Sequence, residues 1–268
     1  MNSNMSLPSR VTIELTNRCN RACPECPRHK MAYPLGDMTP HLYTTILAQL
    51  PTTTTIVPFF RGESLLHPSF GKLIRMLRGY RDVQLATNGD LITPTTLAAI
   101  ADACTFLSVS LHTFQLPRET RLPSLFHRLR GHDVETQVSI VDTVLPSGGR
   151  HEFVAKWRRV VDRVRIYTTH SVDGFGSMGL PTPVDPCNKP FEDMVVFWDG
   201  RVGLCNHDWN GATPLGDVTT QSVADVWNGR LYRAVRALHR RGCRAQVPSC
   251  VACDFTPRHV YGEVILNG

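Results

Sequence analysis

Up to about residue 169, short apolar runs with period-two alternation take turns with longer stretches of helical spacing. Val11 to Leu15, VTIEL, reads as a strand that runs straight into a polar turn. Ile56 to Phe60, Val83 to Ala86, Phe106 to Leu111, Thr136 to Val141 and Val164 to Tyr167 read as five more. Helical spacing covers Pro40 to Leu50, Phe70 to Leu77, Pro94 to Ala103, Leu122 to Arg130 and Glu152 to Val161, with Thr39 as an N-cap before Pro40. Strands alternating with helices predict a parallel α/β fold. Polar signatures follow several strand ends, where parallel barrels place their chemistry.

The pattern then changes. The stretch SVDGFGSMGLPTPVDP is rich in Gly and Pro and reads as a linker or lid, with the boundary between Asp173 and Pro186. Met194 to Trp198 and Val202 to Leu204 flank Asp199-Gly200, a hairpin signal. The run SVADVWNGRLYRAVRALHRRG reads as one helix ending at Gly242, a C-cap. Two domains are expected, residues 1–180 and 181–268.

Composition narrows the class. The 268 residues are 42% hydrophobic and 19% charged, as in soluble globular proteins, and no apolar run approaches a membrane span. The start, MNSNMSLPSR, lacks a signal-peptide pattern, so the cytoplasm is expected and a membrane partner is not. A net charge of +6 without basic runs interleaved with aromatics gives no reason to expect nucleic acid.

Charge matters less than cysteine. Nine cysteines in a reducing compartment do not suggest a disulfide framework, and seven of them are grouped. Cys19, Cys23 and Cys26 form one group; Cys187, Cys205, Cys250 and Cys253 can form another. Zinc at the first group would need a fourth ligand, with His29 nearest. A four-iron cubane held by three cysteines instead leaves one iron open. Cys104 reads as core.

C-x3-C-x2-C directly after the first strand of an α/β barrel resembles the signature of the radical S-adenosylmethionine enzymes. FFRGES at Phe59 to Ser64 is similar to that family's GGE motif, with Arg61 in place of the first glycine. ATNGD at Ala86 to Asp90 and SVSLHT around Ser108 and Ser110 are similar to its third- and fourth-strand motifs. The resemblance implies a partial (β/α)6 TIM-like barrel with a small C-terminal twitch domain, a β-hairpin plus helix. It implies S-adenosyl-L-methionine and two [4Fe-4S] clusters as cofactors. Cys19, Cys23 and Cys26 would hold the first cluster. Gly62, Glu63, Thr87, Asn88, Gly89, Ser108 and Ser110 would meet the S-adenosyl-L-methionine. The second cysteine group resembles the SPASM region of the same family. DFTPRHVYGE after Cys253 has no further cysteine, so the shortened twitch version is expected, with Cys187, Cys205, Cys250 and Cys253 closing one auxiliary cluster; a zinc ribbon is the alternative there.

The resemblance also implies a 5′-deoxyadenosyl radical that removes hydrogen from a small polar substrate. The expected reaction is oxidation of a secondary alcohol of an aminocyclitol or sugar to a ketone, with the auxiliary cluster as electron acceptor and flavodoxin or ferredoxin as reductant. Asp208 and His207, next to Cys205, are candidates to take the hydroxyl proton, Asp208 alternatively serving its turn. Glu14 is a candidate substrate group or a salt-bridge partner. Cys243 is a candidate hydrogen donor or a packing residue. His170 and Asp173 open the presumed lid. An epimerase with a cysteine donor, and a peptide-modifying enzyme, are the alternatives.

Overall fold

The computed structural model describes residues 6–24, 26–30, 33–112, 121–168, 186–255 and 263–266. The linker expected around residues 171–186, with His170 and Asp173, lies almost wholly outside them, as does the side chain of His29.

Strand β1 (Arg10–Ile13) sets the logic of the fold. Val11 and Ile13 point one way and are fully buried, while Arg10 reaches a cavity on the other face. The same split recurs in β2 (Thr55–Val57), β3 (Asp82–Thr87), β4 (Phe106–Leu111), β5 (Glu135–Val141) and β6 (Arg163–Tyr167). Val83, Leu107, Val109, Val138 and Val164 form the apolar face under the helices. Gln84, Ser108, Gln137 and Arg165 line the cavity, so the sheet curves around a polar lumen.

Helices α1 (Pro40–Leu47), α2 (Phe70–Arg75), α3 (Pro94–Ala103), α4 (Leu122–Leu129) and α5 (Gly149–Trp157) follow β1 to β5 in turn. All six strands run parallel in sequence order. The Thr39 side chain caps α1 by accepting from Leu42 N, with Pro40 opening the helix. β2 stops at Val57, short of the expected Phe60, because Pro58 has no N–H for the ladder.

The chain then returns to its beginning. After α6 (Lys189–Glu192), β7 (Asp193–Val196) pairs parallel with β1, Arg10 opposite Asp193. β8 (Arg201–Gly203) and β9 (Gly216–Asp217) extend this edge antiparallel. Gly200 turns the hairpin at φ +94°. The expected single helix is two, α7 (Val223–Trp227) and α8 (Arg230–Arg240). Asn228-Gly229 breaks it, and Gly242 at φ +71° ends α8 with its N–H on His239 O and Cys243 N–H on Leu238 O. β10 (Glu263–Leu266) pairs antiparallel with β6, giving the order β10-β6-β5-β4-β3-β2-β1-β7-β8-β9.

Candidate functional site

The cysteine loop leaves β1 and is tied down before it turns. Asn17, fully buried, donates to Pro34 O and accepts from Gly36 N, and Thr16 donates to Asp37 at 2.6 Å. Cys19, Cys23 and Cys26 follow, half-buried around a cavity of about 250 Å³. Arg21 N–H points at Cys19 Sγ at 3.5 Å, and Cys26 N–H bonds Cys23 O, the geometry of a turn that wraps a thiolate. Arg21 also forks onto Asp90 after β3, Nε to Oδ2 at 2.7 Å and Nη2 to Oδ1 at 2.5 Å. Asn20 adds bonds to Asp90 and Asn88. The loop after β1 is therefore strapped to the loop after β3.

Gly62, after β2, lies against that same loop. A Cβ there would stand 2.3 Å from Thr16 O and 2.6 Å from Arg18 O, so glycine is required. Glu63 N–H bonds Arg18 O, and its carboxylate, buried, accepts from Asn88 N, Leu65 N and Thr87 Oγ1. Burial pushes this carboxyl above its ordinary range, opposed by those three donors. Gly62, Glu63, Thr87, Asn88 and Ser110 share the cavity wall with the three cysteines. Gly89 turns the chain behind them at φ +78°. Ser108 lies deeper, where Gln137 Nε2 donates to it at 2.9 Å. It lines the lumen, a cavity of about 590 Å³ that shares Phe59, Ala86 and Ser110 with the first.

Glu14 faces inward as alternation requires, but Arg61 takes both its oxygens, Nε at 2.6 Å and Nη2 at 2.5 Å, with neither side chain exposed. Trp198 N–H adds a third bond. Its structural alternative, the ion pair, is what the geometry contains. Arg61 also donates to Trp209 O and stacks 4.3 Å from the Phe197 ring centroid and 4.8 Å from that of Tyr33. The residue that departs from the glycine motif thus joins the barrel to the chain after Cys205. Sequence spacing carried no sign of that partnership, nor of Trp209 and His112 in the cavity wall.

Cys187, Cys205, Cys250 and Cys253 are buried together. Their thiols act on one another, Cys205 on Cys250 and Cys187, Cys250 on Cys253 and Cys187. Burial pushes Cys250 up to about 12 and Cys205 well above its ordinary range, so a group taking four thiolates must displace their protons. Asp208, fully buried, accepts from Leu204 N and Ala212 N and holds the Cys205 turn. The His207 ring packs 4.9 Å from Phe255, and His207 N–H points at Cys205 Sγ at 3.4 Å. Among the described residues, neither His207 nor Asp208 belongs to the wall of either cavity, and neither do Cys104 and Cys243. Cys104 caps α3 in the core, and burial pushes it up to about 12. Cys243 Sγ approaches Arg241 O at 3.6 Å.

Three thiols lining a cavity of about 250 Å³ and four thiols buried together are donor sets that iron–sulfur groups fit.

A family model described as the radical SAM superfamily matches residues 13–164. The chain belongs to the radical SAM superfamily. A model of the SPASM iron–sulfur cluster-binding domain matches residues 187–254 of this radical SAM chain. Such a protein uses S-adenosyl-L-methionine and more than one four-iron cluster. The S-adenosyl-L-methionine-dependent 2-deoxy-scyllo-inosamine dehydrogenase of Niallia circulans is 23% identical over 256 residues, 92% of each chain. A Pyrococcus furiosus protein, the tungsten-containing aldehyde ferredoxin oxidoreductase cofactor-modifying protein, is 24% identical over 318 residues, 91% of this chain and 88% of its own. Among solved structures, BtrN in complex with AdoMet and 2-DOIA superposes with TM-score 0.69 at 22% identity, over 94% of this chain and 95% of its own. Streptococcus suis SuiB bound to precursor peptide SuiA gives 0.70 at 14%, over 88% and 68%. These likenesses show a radical SAM barrel with a C-terminal iron–sulfur region. Among the described residues, no helix is long and apolar enough to cross a membrane.

Proposed function

We propose that this radical SAM enzyme oxidises a secondary alcohol of a small polyhydroxylated substrate, such as an aminocyclitol or sugar, to a ketone. One observation supports the reading: a polar lumen, lined by Ser108, Ser110, Gln84 and Gln137 together with four arginines and two carboxylates, adjoins the cysteine-lined cavity and shares Phe59, Ala86 and Ser110 with it. Gln137 gives Nε2 to Ser108, while its buried Oε1 has no partner among the described residues and suits a substrate hydroxyl. Ser110, in both cavity walls, adds another hydroxyl, held 3.2 Å from that of Ser139 behind it.

Cys19, Cys23 and Cys26 would hold the cluster that binds S-adenosyl-L-methionine, against Gly62, Glu63, Thr87 and Asn88. Cys187, Cys205, Cys250 and Cys253 would hold the auxiliary cluster. When bound, the first cluster in its reduced state would supply, with S-adenosyl-L-methionine, hydrogen abstraction from an unactivated C–H bond, and the auxiliary cluster in its oxidised state would supply a one-electron sink. The chain orients the carbinol, excludes water and accepts the hydroxyl proton. His112, in the cavity wall, is placed for that proton better than His207 or Asp208. The described thiols outside the two groups, Cys104 and Cys243, stay out of both cavity walls, which favours oxidation over epimerisation. Residues 1–180 and 181–268 are the proposed units, with a flavodoxin or ferredoxin as electron donor.

The test is product analysis. Anaerobically reconstituted, reduced protein is offered aminocyclitols, sugars and peptides. A ketone two mass units lighter, formed with one S-adenosyl-L-methionine consumed per turnover, is expected. A product of unchanged mass in ordinary water that gains one deuterium in heavy water would replace the reading with epimerisation, and a modified peptide would replace the substrate class.

A further inference from the structure

Arg244 is 1% exposed and lies among the four cysteines of the C-terminal region. Nη1 donates to Phe255 O at 2.9 Å and Nη2 to Cys253 O at 3.2 Å, so the guanidinium gathers the chain around Cys253. Among the described residues it forms no ion pair with a carboxylate. Its buried Nε has no hydrogen-bond partner among the described residues. Its two Nη bonds fix the positive charge beside Cys253, one of the four cysteines. Burying a guanidinium is costly unless anions surround it; Asp254, 1% exposed and next to Cys253, supplies one, and thiolates at the four cysteines would supply more. His239 adds a polar contact, its Nε2 3.7 Å from Cys250 Sγ.

We propose that Arg244 sets the reduction potential of the auxiliary cluster and raises it to the level of an electron acceptor. The inference rests on the reading that Cys187, Cys205, Cys250 and Cys253 hold that cluster. Reduction by one electron adds one negative charge inside a low-dielectric pocket. A fixed cation stabilises the reduced form more than the oxidised one, which shifts the potential upward. The bond from Nη2 to Cys253 O holds that cation next to a ligand cysteine. Oxidation of a carbinol leaves one electron on the substrate after the hydrogen atom and the hydroxyl proton have gone. A cluster with a raised potential accepts it.

Wild type, Arg244→Gln and Arg244→Lys are reconstituted anaerobically, their iron is counted, and each is titrated potentiometrically with electron paramagnetic resonance. Adding S-adenosyl-L-methionine perturbs the signal of the cluster that binds it and so marks the other as auxiliary. Both variants should keep the full iron complement. The auxiliary potential should fall in Arg244→Gln and stay near wild type in Arg244→Lys, with the other cluster unmoved in both. An unchanged potential in Arg244→Gln, or equal falls in Gln and Lys, overturns the inference. Loss of auxiliary iron from both variants also overturns it, because Arg244 then serves assembly. Wild-type protein that carries iron at Cys19, Cys23 and Cys26 alone ends the underlying reading before any variant is measured.

Discussion

Gly62 shows how a missing side chain carries function. Its Cα lies against the carbonyls of Thr16 and Arg18, so an added methyl must push the cysteine loop away from Glu63 and Asn88. Overpacking of this kind costs ~1–3 kcal/mol, which corresponds to about a 5- to 150-fold loss if it falls on cofactor cleavage. Gly62→Ala should therefore retain iron yet release 5′-deoxyadenosine at least about fivefold more slowly, read by chromatography of the reduced protein. His112 makes a separable case. His112→Gln should keep nucleoside release and lose ketone formation. Equal product from that variant and wild type would remove His112 from the proton's path.

At the level of elements, the ends of β1, β2 and β3 act as one unit because their loops are bonded to one another. Arg21 and Asn20 of the cysteine loop both reach Asp90, and the Arg21–Asp90 pair is largely shielded from solvent. Asp90→Ala strands the shielded Arg21 and should lower the melting temperature, and a chelator should strip the first cluster several-fold faster, followed by the loss of visible absorbance. These loops also mark the reach of sequence reasoning. Alternating burial made β1 to β6 readable, and Asp199-Gly200 announced the β7–β8 hairpin. The Asn228-Gly229 break was hidden because apolar spacing continues through it. A Cβ at Gly229 would lie 2.8 Å from Asp225 O, so backbone crowding, rather than side-chain pattern, decides that break. The cysteine groups were legible from spacing alone. Arg61 with Glu14, Trp209 in the cavity and Arg244 among the thiols were not, since each depends on a meeting of residues remote in sequence.

Across the whole molecule, Arg61 is the joint between barrel and C-terminal region. It neutralises Glu14 on one side and holds Trp209 O on the other, with both charged side chains at 0% exposure. Arg61→Met strands a carboxylate in the interior, and breaking such a pair costs about 3–5 kcal/mol. Chemical denaturation should record that loss. The double variant Glu14→Gln with Arg61→Met should recover a large part of it, because an uncharged amide has less need of a partner. A double variant no more stable than Arg61→Met alone would show that the lost packing on Phe197 and Tyr33 outweighs the charge.

β7 lies beside β1, and this placement has a consequence in time. Strand β1, from Arg10, emerges from the ribosome long before its neighbour on that side, which begins at Asp193. At ~5–20 residues per second, the nascent sheet waits on the order of ten seconds with that edge open. Val11 and Ile13 sit on it, and an open apolar edge invites pairing with other chains. Ribosome-bound chains arrested before residue 193 should recruit chaperones strongly, and those released beyond residue 203 much less. The late hairpin would then act in biogenesis as the seal on the sheet's first strand, before either group of cysteines takes on iron.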